Sequence, residues 1–363
     1  MYGVDTDWIF FLTHGNQFRA RLDQLGFTLG NDTIKGTFGF DNNTGFGGAY
    51  GGLLVDNDGT HYSFVPSISM GLGYTSSLIS VGVGYNATVG SHVEKFNGKT
   101  EPKTVNKSAH TPVLVLNAMD NAFRMAIPIQ VYVDNDKLEN GGYDNKMAVS
   151  VDSQFRYYTG LDALPQVRLF LRYGLYQNES KASKDAEKVK TKYGESFGFD
   201  FRLYFGSMVE EVALQPLVRL AYDGALGNYH DNTRIQAVKA MDGAYSTVSY
   251  GGGVWNLKLM TGLGLTANSD IVSLYLEPQL GLDVTRKAPS STQAPGAAPT
   301  PVAIASDSYN LAYNVYAEIY ITPLKNLEWY FEAQLGSDTG DNVNGTGFGF
   351  NGTTGITWYL PAL

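Results

Sequence analysis

Between Pro165 and Tyr176 apolar and largely polar positions alternate. Val167, Leu169, Leu171, Tyr173 and Leu175 share one face, and Gln166, Arg168, Phe170 and Arg172 share the other. Successive side chains of a strand point to opposite sides of the pleat, so this two-residue period describes a strand with one apolar and one largely polar face. The period recurs almost end to end. In 78–90, Ile79, Val81, Val83 and Tyr85 oppose Ser80, Gly82, Gly84 and Asn86; in 121–133, Phe123, Met125, Ile127, Ile129, Val131 and Val133 oppose Arg124, Gln130 and Tyr132. A soluble sheet can hide a few such faces on one core, but so many one-sided strands have no partner in water. The pattern predicts an all-β fold, a transmembrane antiparallel β-barrel.

Strands are expected at 16–29, 33–40, 45–54, 61–74, 78–90, 108–118, 121–133, 146–158, 165–176, 194–206, 211–223, 251–266, 269–284, 308–322, 326–337 and 346–360. That gives about 16 strands, with 14 as the alternative count because 30–60 reads least clearly. The phase of alternation slips near Gln24, which predicts a bulge there. Connections at 42–44, 75–77, 119–120, 159–164, 207–210, 267–268 and 323–325 are short, whereas 91–107, 134–145, 178–193, 224–250 and 285–307 are long. Short periplasmic turns and long extracellular loops are the outer-membrane arrangement. Residues 1–15 read as an N-terminal periplasmic segment, a short helix or plug with a strand as the alternative, and 16–363 as a single barrel domain. Residues 178–193 read as a solvated loop, with a short surface helix as the alternative. The stretch 285–305, with Pro289, Pro295, Pro299 and Pro301, is too polar and proline-rich to order itself.

Composition sharpens this picture. The 363 residues include 42 Gly, 24 Tyr and 19 Phe, and only 17% are charged. A net charge of −9 argues against nucleic acid as a partner. Without cysteine, neither disulfides nor thiolate metal sites can form. The longest apolar runs, such as Trp8–Leu12 and Val113–Leu116, are far short of the roughly 20 residues of a spanning helix. The opening Met1-Tyr2-Gly3-Val4-Asp5 has no signal-peptide character, so an exported barrel with this sequence is expected to be the mature chain.

Candidate chemistry is sparse. Gly194-Glu195-Ser196-Phe197-Gly198 matches the nucleophile-elbow spacing, but Phe197, Phe199, Phe201 and Leu203 carry a strand straight through it, where that chemistry needs a sharp strand-to-helix turn. The five histidines lack metal-ligand spacing. No enzyme, cofactor or metal site is expected. The strand charges say more. With the apolar faces on lipid, the basic residues Arg19, Arg21, Arg124, Arg156, Arg168, Arg172, Arg202, Arg219 and Lys258 line the lumen, as do the acidic Glu277, Asp283, Glu318, Glu328 and Glu332. An arginine at the bilayer midplane of a barrel costs about 2–4 kcal/mol, so six outward arginines would exceed the stability of an ordinary domain. Bases cluster mid-chain and acids later, which places them on separate arcs and predicts a transverse field across a narrow lumen. The alternative is that these charges only keep a wide lumen wet, with Asp152 and Asp200 neutralising nearby arginines.

The closing strand from Gly349 through Ile356-Thr357-Trp358-Tyr359-Leu360 resembles the C-terminal assembly signal of outer-membrane proteins, although the chain ends on Leu363. The opening segment, Asp7-Trp8-Ile9-Phe10-Phe11-Leu12-Thr13-His14-Gly15-Asn16-Gln17-Phe18-Arg19-Ala20-Arg21-Leu22-Asp23-Gln24-Leu25-Gly26-Phe27 and on to Gly36-Thr37-Phe38-Gly39-Phe40, resembles the variable surface proteins of intestinal spirochaetes. That resemblance implies an abundant surface antigen of the bacterial outer membrane, without catalytic residues. The expected function is a porin-like diffusion channel for small polar solutes and surface antigen. The alternative is a plugged or loop-filled barrel acting in adhesion or antigenic display without conductance. Expected partners are outer-membrane lipid, the barrel-insertion machinery, host antibodies or surface ligands and, by analogy with general diffusion channels, two further copies in a homotrimer.

Overall fold

The structure is a computed structural model that describes residues 7–21, 24–42, 63–64, 66–94, 103–138, 141–209, 212–227, 234–237, 253–287, 306–337 and 349–361. Sixteen antiparallel strands form it: β1 Gln17–Arg21, β2 Gln24–Gly30, β3 Ile34–Asn42, β4 Pro66–Tyr74 (prolonged by Ser63–Phe64), β5 Ile79–Glu94, β6 Lys103–Ala118, β7 Phe123–Lys137 and β8 Tyr143–Tyr158. The second half adds β9 Gln166–Lys181, β10 Val189–Tyr204 (prolonged by Ser207–Val209), β11 Val212–Ala225, β12 Trp255–Asn268, β13 Val272–Lys287, β14 Ser306–Leu324, β15 Leu327–Gly336 and β16 Gly349–Tyr359. Each pairs with its neighbours in sequence, and β1 pairs with β16 from Gln17↔Tyr359 to Arg21↔Gly355, which closes the ring. Closure leaves no unpaired edge, the condition for a sheet to cross lipid.

The alternation in the chain becomes inside and outside. Leu72, Val83, Leu114, Ile129, Leu171, Leu259, Leu280, Ile319 and Trp358 are exposed on the outer wall. Their neighbours in sequence, such as Gly73, Gly84, Val115, Gln130 and Thr357, face inward. Turns at the end that carries both chain termini are tight. Met119, Asp120 and Asn121 take left-handed φ of 55°, 53° and 63° to reverse β6 into β7, and Ala122 N donates to Met119 O at 3.0 Å.

Three expectations change. The phase slip at Gln24 is a reversal of the chain, not a bulge: β1 and β2 pair antiparallel, Ala20 opposite Leu25 and Gln17 opposite Thr28. A hairpin and a one-residue slip invert the faces alike, so alternation alone could not separate them. The strand expected at 45–54 lies outside the described residues, and β3 pairs directly with β4 from Ile34↔Tyr74 to Asn42↔Pro66. β3 therefore ends at Asn42, opposite Pro66, at the end of the barrel away from the chain termini. Most of 178–193 is strand, because β9 and β10 stay paired out to Ser180↔Val189. Polar residues continue the ladder there because both faces meet water above the apolar belt.

The N-terminal segment enters the lumen. A 3-10 helix, Asp7–Phe10, leads into Phe11 and Leu12, and Trp8, Ile9, Phe11 and Leu12 are buried against Val113, Val115 and Ala126 of the inner wall. Gly71 faces Gly84 and Gly73 faces Gly82 across β4 and β5, making a flat patch of four glycines. A Cβ at Gly71 would lie 2.8 Å from the Trp8 ring, one at Gly73 2.5 Å from Leu12, and one at Gly84 would collide with the Trp8 ring. Lys35 Nζ donates to the carbonyls of Leu12 (3.0 Å) and His14 (2.6 Å), which ties down the end of the segment.

Candidate functional site

Strand register builds the charged wall. Arg124 of β7 stands opposite Arg156 of β8, Arg156 opposite Arg168 of β9, Arg168 opposite Arg202 of β10, and Arg202 opposite Arg219 of β11. Five arginines thus form one continuous cross-strand row on the inner face. The next inward row toward the long-loop end is Gln154, Phe170, Asp200 and Ala221; the row beyond is Asp152, Arg172, Gly198 and Asp223. Like charges directly opposite one another are unfavourable, so such a row requires compensation.

Two of the five have it. Asp200 is fully buried and takes Arg202 at 2.8 Å, Arg219 at 2.9 Å and Arg172 at 3.7 Å. Arg172 also reaches Asp152 (3.4 Å) and Asp223 (3.3 Å). The bare Gly198 beside Asp223 makes room for this cluster, since a Cβ there would strike the Asp223 carboxylate. The other three are held by aromatic faces. The guanidinium carbon of Arg156 lies 4.4 Å and that of Arg124 5.6 Å from the Phe10 ring centre, and Arg168 sits 4.4 Å over Tyr204.

The acidic residues occupy the facing arc. Glu318 of β14 is opposite Glu332 of β15. Tyr316 and Tyr320 donate their hydroxyls to Glu318, Tyr275 and Gln279 donate to Glu277, and Tyr359 donates to Glu328 at 3.1 Å. Arg21 pairs with Glu332 at 2.9 Å, Arg19 lies 4.3 Å over Tyr330, and Lys258 pairs with Asp283 at 3.5 Å. All fourteen sequence-selected charges therefore lie on the inner face, but not as two pure arcs. Arg19, Arg21 and Lys258 stand among the acids. Asp152, Asp200 and Asp223 stand among the bases, because a buried like-charged cluster needs counter-charges within its own wall.

Residues 234–237 also enter the barrel. Between β11 and β12, Ile235 N donates to Ser196 Oγ (3.0 Å) and Ala237 N to Ser150 Oγ (2.9 Å), while Arg234 pairs with Asp152 at 2.5 Å. Ser150, Gly174 and Ser196 are one cross-strand row of small residues, and Ile235 rests on the bare Gly174. Ser196 thus sits in mid-strand and receives a loop amide, as the straight run of phenylalanines requires. Among the described residues a space of about 1080 Å³ is bounded by Phe10, Arg156, Arg168, Arg172, Glu277 and Glu318, among others. Among the described residues no cluster of His, Asp and Glu is arranged to hold a metal.

Sequence reasoning missed Arg234, Asp223 and the tyrosine clamps on the acids. The clamps had a signal in the i, i+2 spacings Tyr275-x-Glu277 and Tyr316-x-Glu318-x-Tyr320, which put the partners on one face. Arg234 had none, since it comes from a loop.

Residues 1–359 match the family described as Serpulina hyodysenteriae variable surface protein. The chain belongs to this family. Its barrel is of the outer-membrane type, so this family member is a surface protein built on an outer-membrane β-barrel. Among curated proteins none matches the chain. Similar solved structures include the translocator domain of the autotransporter NalP from Neisseria meningitidis, at 14% identity over 79% of this chain and 90% of that one, with a TM-score of 0.34. CdiB from Escherichia coli is 10% identical over 94% of this chain and 62% of its own, with a TM-score of 0.43. CdiB from Acinetobacter baumannii is 10% identical over 95% and 59%, with a TM-score of 0.35.

Proposed function

We propose that this variable surface protein is a diffusion channel for small polar solutes whose long loops form the cell-surface antigen. The observation that carries the reading is the five-arginine row facing Glu277, Glu318 and Glu332 across a water-accessible space of about 1080 Å³. Fixed charges of opposite sign on facing walls of a narrow lumen orient water and sort solutes by charge and dipole. The N-terminal segment and residues 234–237 narrow the lumen from the β4–β10 side and leave the charged space beside them. Planar-bilayer recording tests this: wild type is expected to give discrete steps of current. Replacing Arg168 and Arg172 with Ala should raise cation preference, because Arg172 also releases Asp152, Asp200 and Asp223. Glu328→Gln with Glu332→Gln should shift preference toward anions. Both shifts should shrink at 1 M salt, where the Debye length is about 3 Å. An open channel indifferent to all four changes would reduce the charges to wetting the wall.

The second reading is a display barrel without conductance, favoured by the burial of Trp8, Phe11 and Leu12 inside the lumen. Absence of current from wild type, together with current from a variant whose N-terminal segment is displaced, would decide for it.

A further inference from the structure

The row of arginines is unevenly compensated, and its uncompensated part borders open space. Arg202 and Arg219 are held by Asp200, and Arg172, one of the next rows, by three carboxylates. Arg156 and Arg168, directly opposite one another on β8 and β9, have no carboxylate within ion-pair distance among the described residues. Arg156 is buried, and among the described residues its Nε has no hydrogen-bond partner. Arg168 gives its Nε to Gln166 Oε1 at 2.9 Å, which leaves the terminal nitrogens of its fork for another acceptor. Both side chains line the 1080 Å³ cavity, with Phe10 and His14 beside them. Arg124, the next residue of the row, adds a third positive charge and, among the described residues, is bonded to neutral groups, Asn121 O at 3.1 Å and Thr13 Oγ1 at 3.4 Å.

The acids across the lumen do not relieve this cluster, because they are already engaged. Tyr275 and Gln279 hold Glu277, Tyr316 and Tyr320 hold Glu318, and Arg21 holds Glu332. Aromatic faces steady the guanidinium groups on one side but bring no full negative charge. A guanidinium offers a planar fork of donors, and two adjacent forks match an acceptor with three or four oxygens and a double charge better than a single carboxylate.

We propose that Arg156 and Arg168 form a binding site for a phosphate group, presented by inorganic phosphate or by a small phosphorylated solute, with Arg124 strengthening the local field. The site does not depend on current flowing through the barrel; it would exist in a channel and in a closed display protein alike. Phe10 and Tyr204 orient the two guanidinium groups, while Gln166 aims the fork of Arg168 into the cavity.

The test is equilibrium binding by titration calorimetry on the detergent-solubilised full chain. The probes are inorganic phosphate, glycerol phosphate and, as a singly charged carboxylate control, acetate. Wild type should bind phosphate saturably and acetate at least about tenfold more weakly. Arg156→Gln and Arg168→Gln should each weaken phosphate about tenfold, as removal of a charged hydrogen-bond partner does, whereas Arg286→Gln at the loop end should leave it unchanged. Equal affinity for inorganic and glycerol phosphate would identify the phosphate group as the recognised element, and a strong preference for glycerol phosphate would assign the site to esters. Each variant is first checked for its heat-dependent gel shift, and Arg168→Lys, which keeps the charge but loses the fork, should fall between wild type and Arg168→Gln. No saturable phosphate binding to wild type, equal binding of acetate, or unchanged affinity in a folded Arg168→Gln chain would each overturn the proposal.

Discussion

At the scale of single residues, Asp200 is the point on which the basic wall depends. It is fully buried and shared by Arg172, Arg202 and Arg219. Removing its charge while keeping its shape leaves three guanidinium groups facing each other at short range. Breaking a buried ion pair by deleting one partner costs about 3–5 kcal/mol. Asp200→Asn is therefore expected to lower the temperature at which the folded band converts to the unfolded band on gels, by far more than Asp307→Asn. Asp307 is half-exposed and pairs with Arg286 at 3.9 Å, a surface contact worth little. Equal transition temperatures for the two variants would mean that lumen water, not Asp200, screens the arginines.

At the scale of elements, the N-terminal segment fills part of the lumen and the β9–β10 connection marks one end of the barrel. The N-terminal segment lies on four glycines, and its seat is a matter of space: at Gly84 even a methyl group meets the Trp8 ring. Gly84→Leu should displace Trp8 without opening the ladder, since Gly84 still donates and accepts through its backbone. Iodide should then quench Trp8 fluorescence, read against a Trp8→Phe background that isolates it from Trp255, Trp329 and Trp358. Unchanged quenching would show that the segment has another seat. The β9–β10 connection, 182–188, belongs to the opposite end. Lys184 and Lys188 stand there at the exposed tip of a long hairpin, where proteases cut most readily. Trypsin added to intact cells is expected to cleave at these lysines. Protection of this tip, with cutting by a broad-specificity protease confined to the tight connection at 75–78, would reverse the orientation in the membrane.

At the scale of the whole molecule, closure rests on a short seam. β1 contributes only five residues, Gln17–Arg21, paired with Gly355–Tyr359. The ring has no frayed edge only while that seam holds. Detergent-extracted protein should give a strand-dominated circular dichroism spectrum and migrate differently when unheated. A chain truncated before Gly349 lacks β16, the partner that both β1 and β15 need, and should lose the gel shift. A truncated chain that keeps the shift would mean that β15 and β1 can pair directly.

Much of this architecture was legible in the order of residues. Alternation in 165–176 or 121–133 separates lipid face from lumen face because the pleat has a strict period of two, and the bilayer makes a misplaced arginine intolerable. That is why each selected charge, from Arg19 to Glu332, could be assigned a face one strand at a time. The pairs at i and i+2, such as Asp200 with Arg202, were legible for the same reason. Alternation carries no information about which strands are neighbours in register, or about what folds into the space they enclose. A shift of two residues between β8 and β9 would preserve every face and still take Arg156 away from Arg168. Only the closed ladder decided that five arginines form one row, that Asp200 is shared by three of them, and that Gly71, Gly73, Gly82 and Gly84 make one patch. The placement of Trp8 and Ile235 inside the barrel was likewise tertiary, because a segment with no partner strand of its own is located only by the cavity it fits.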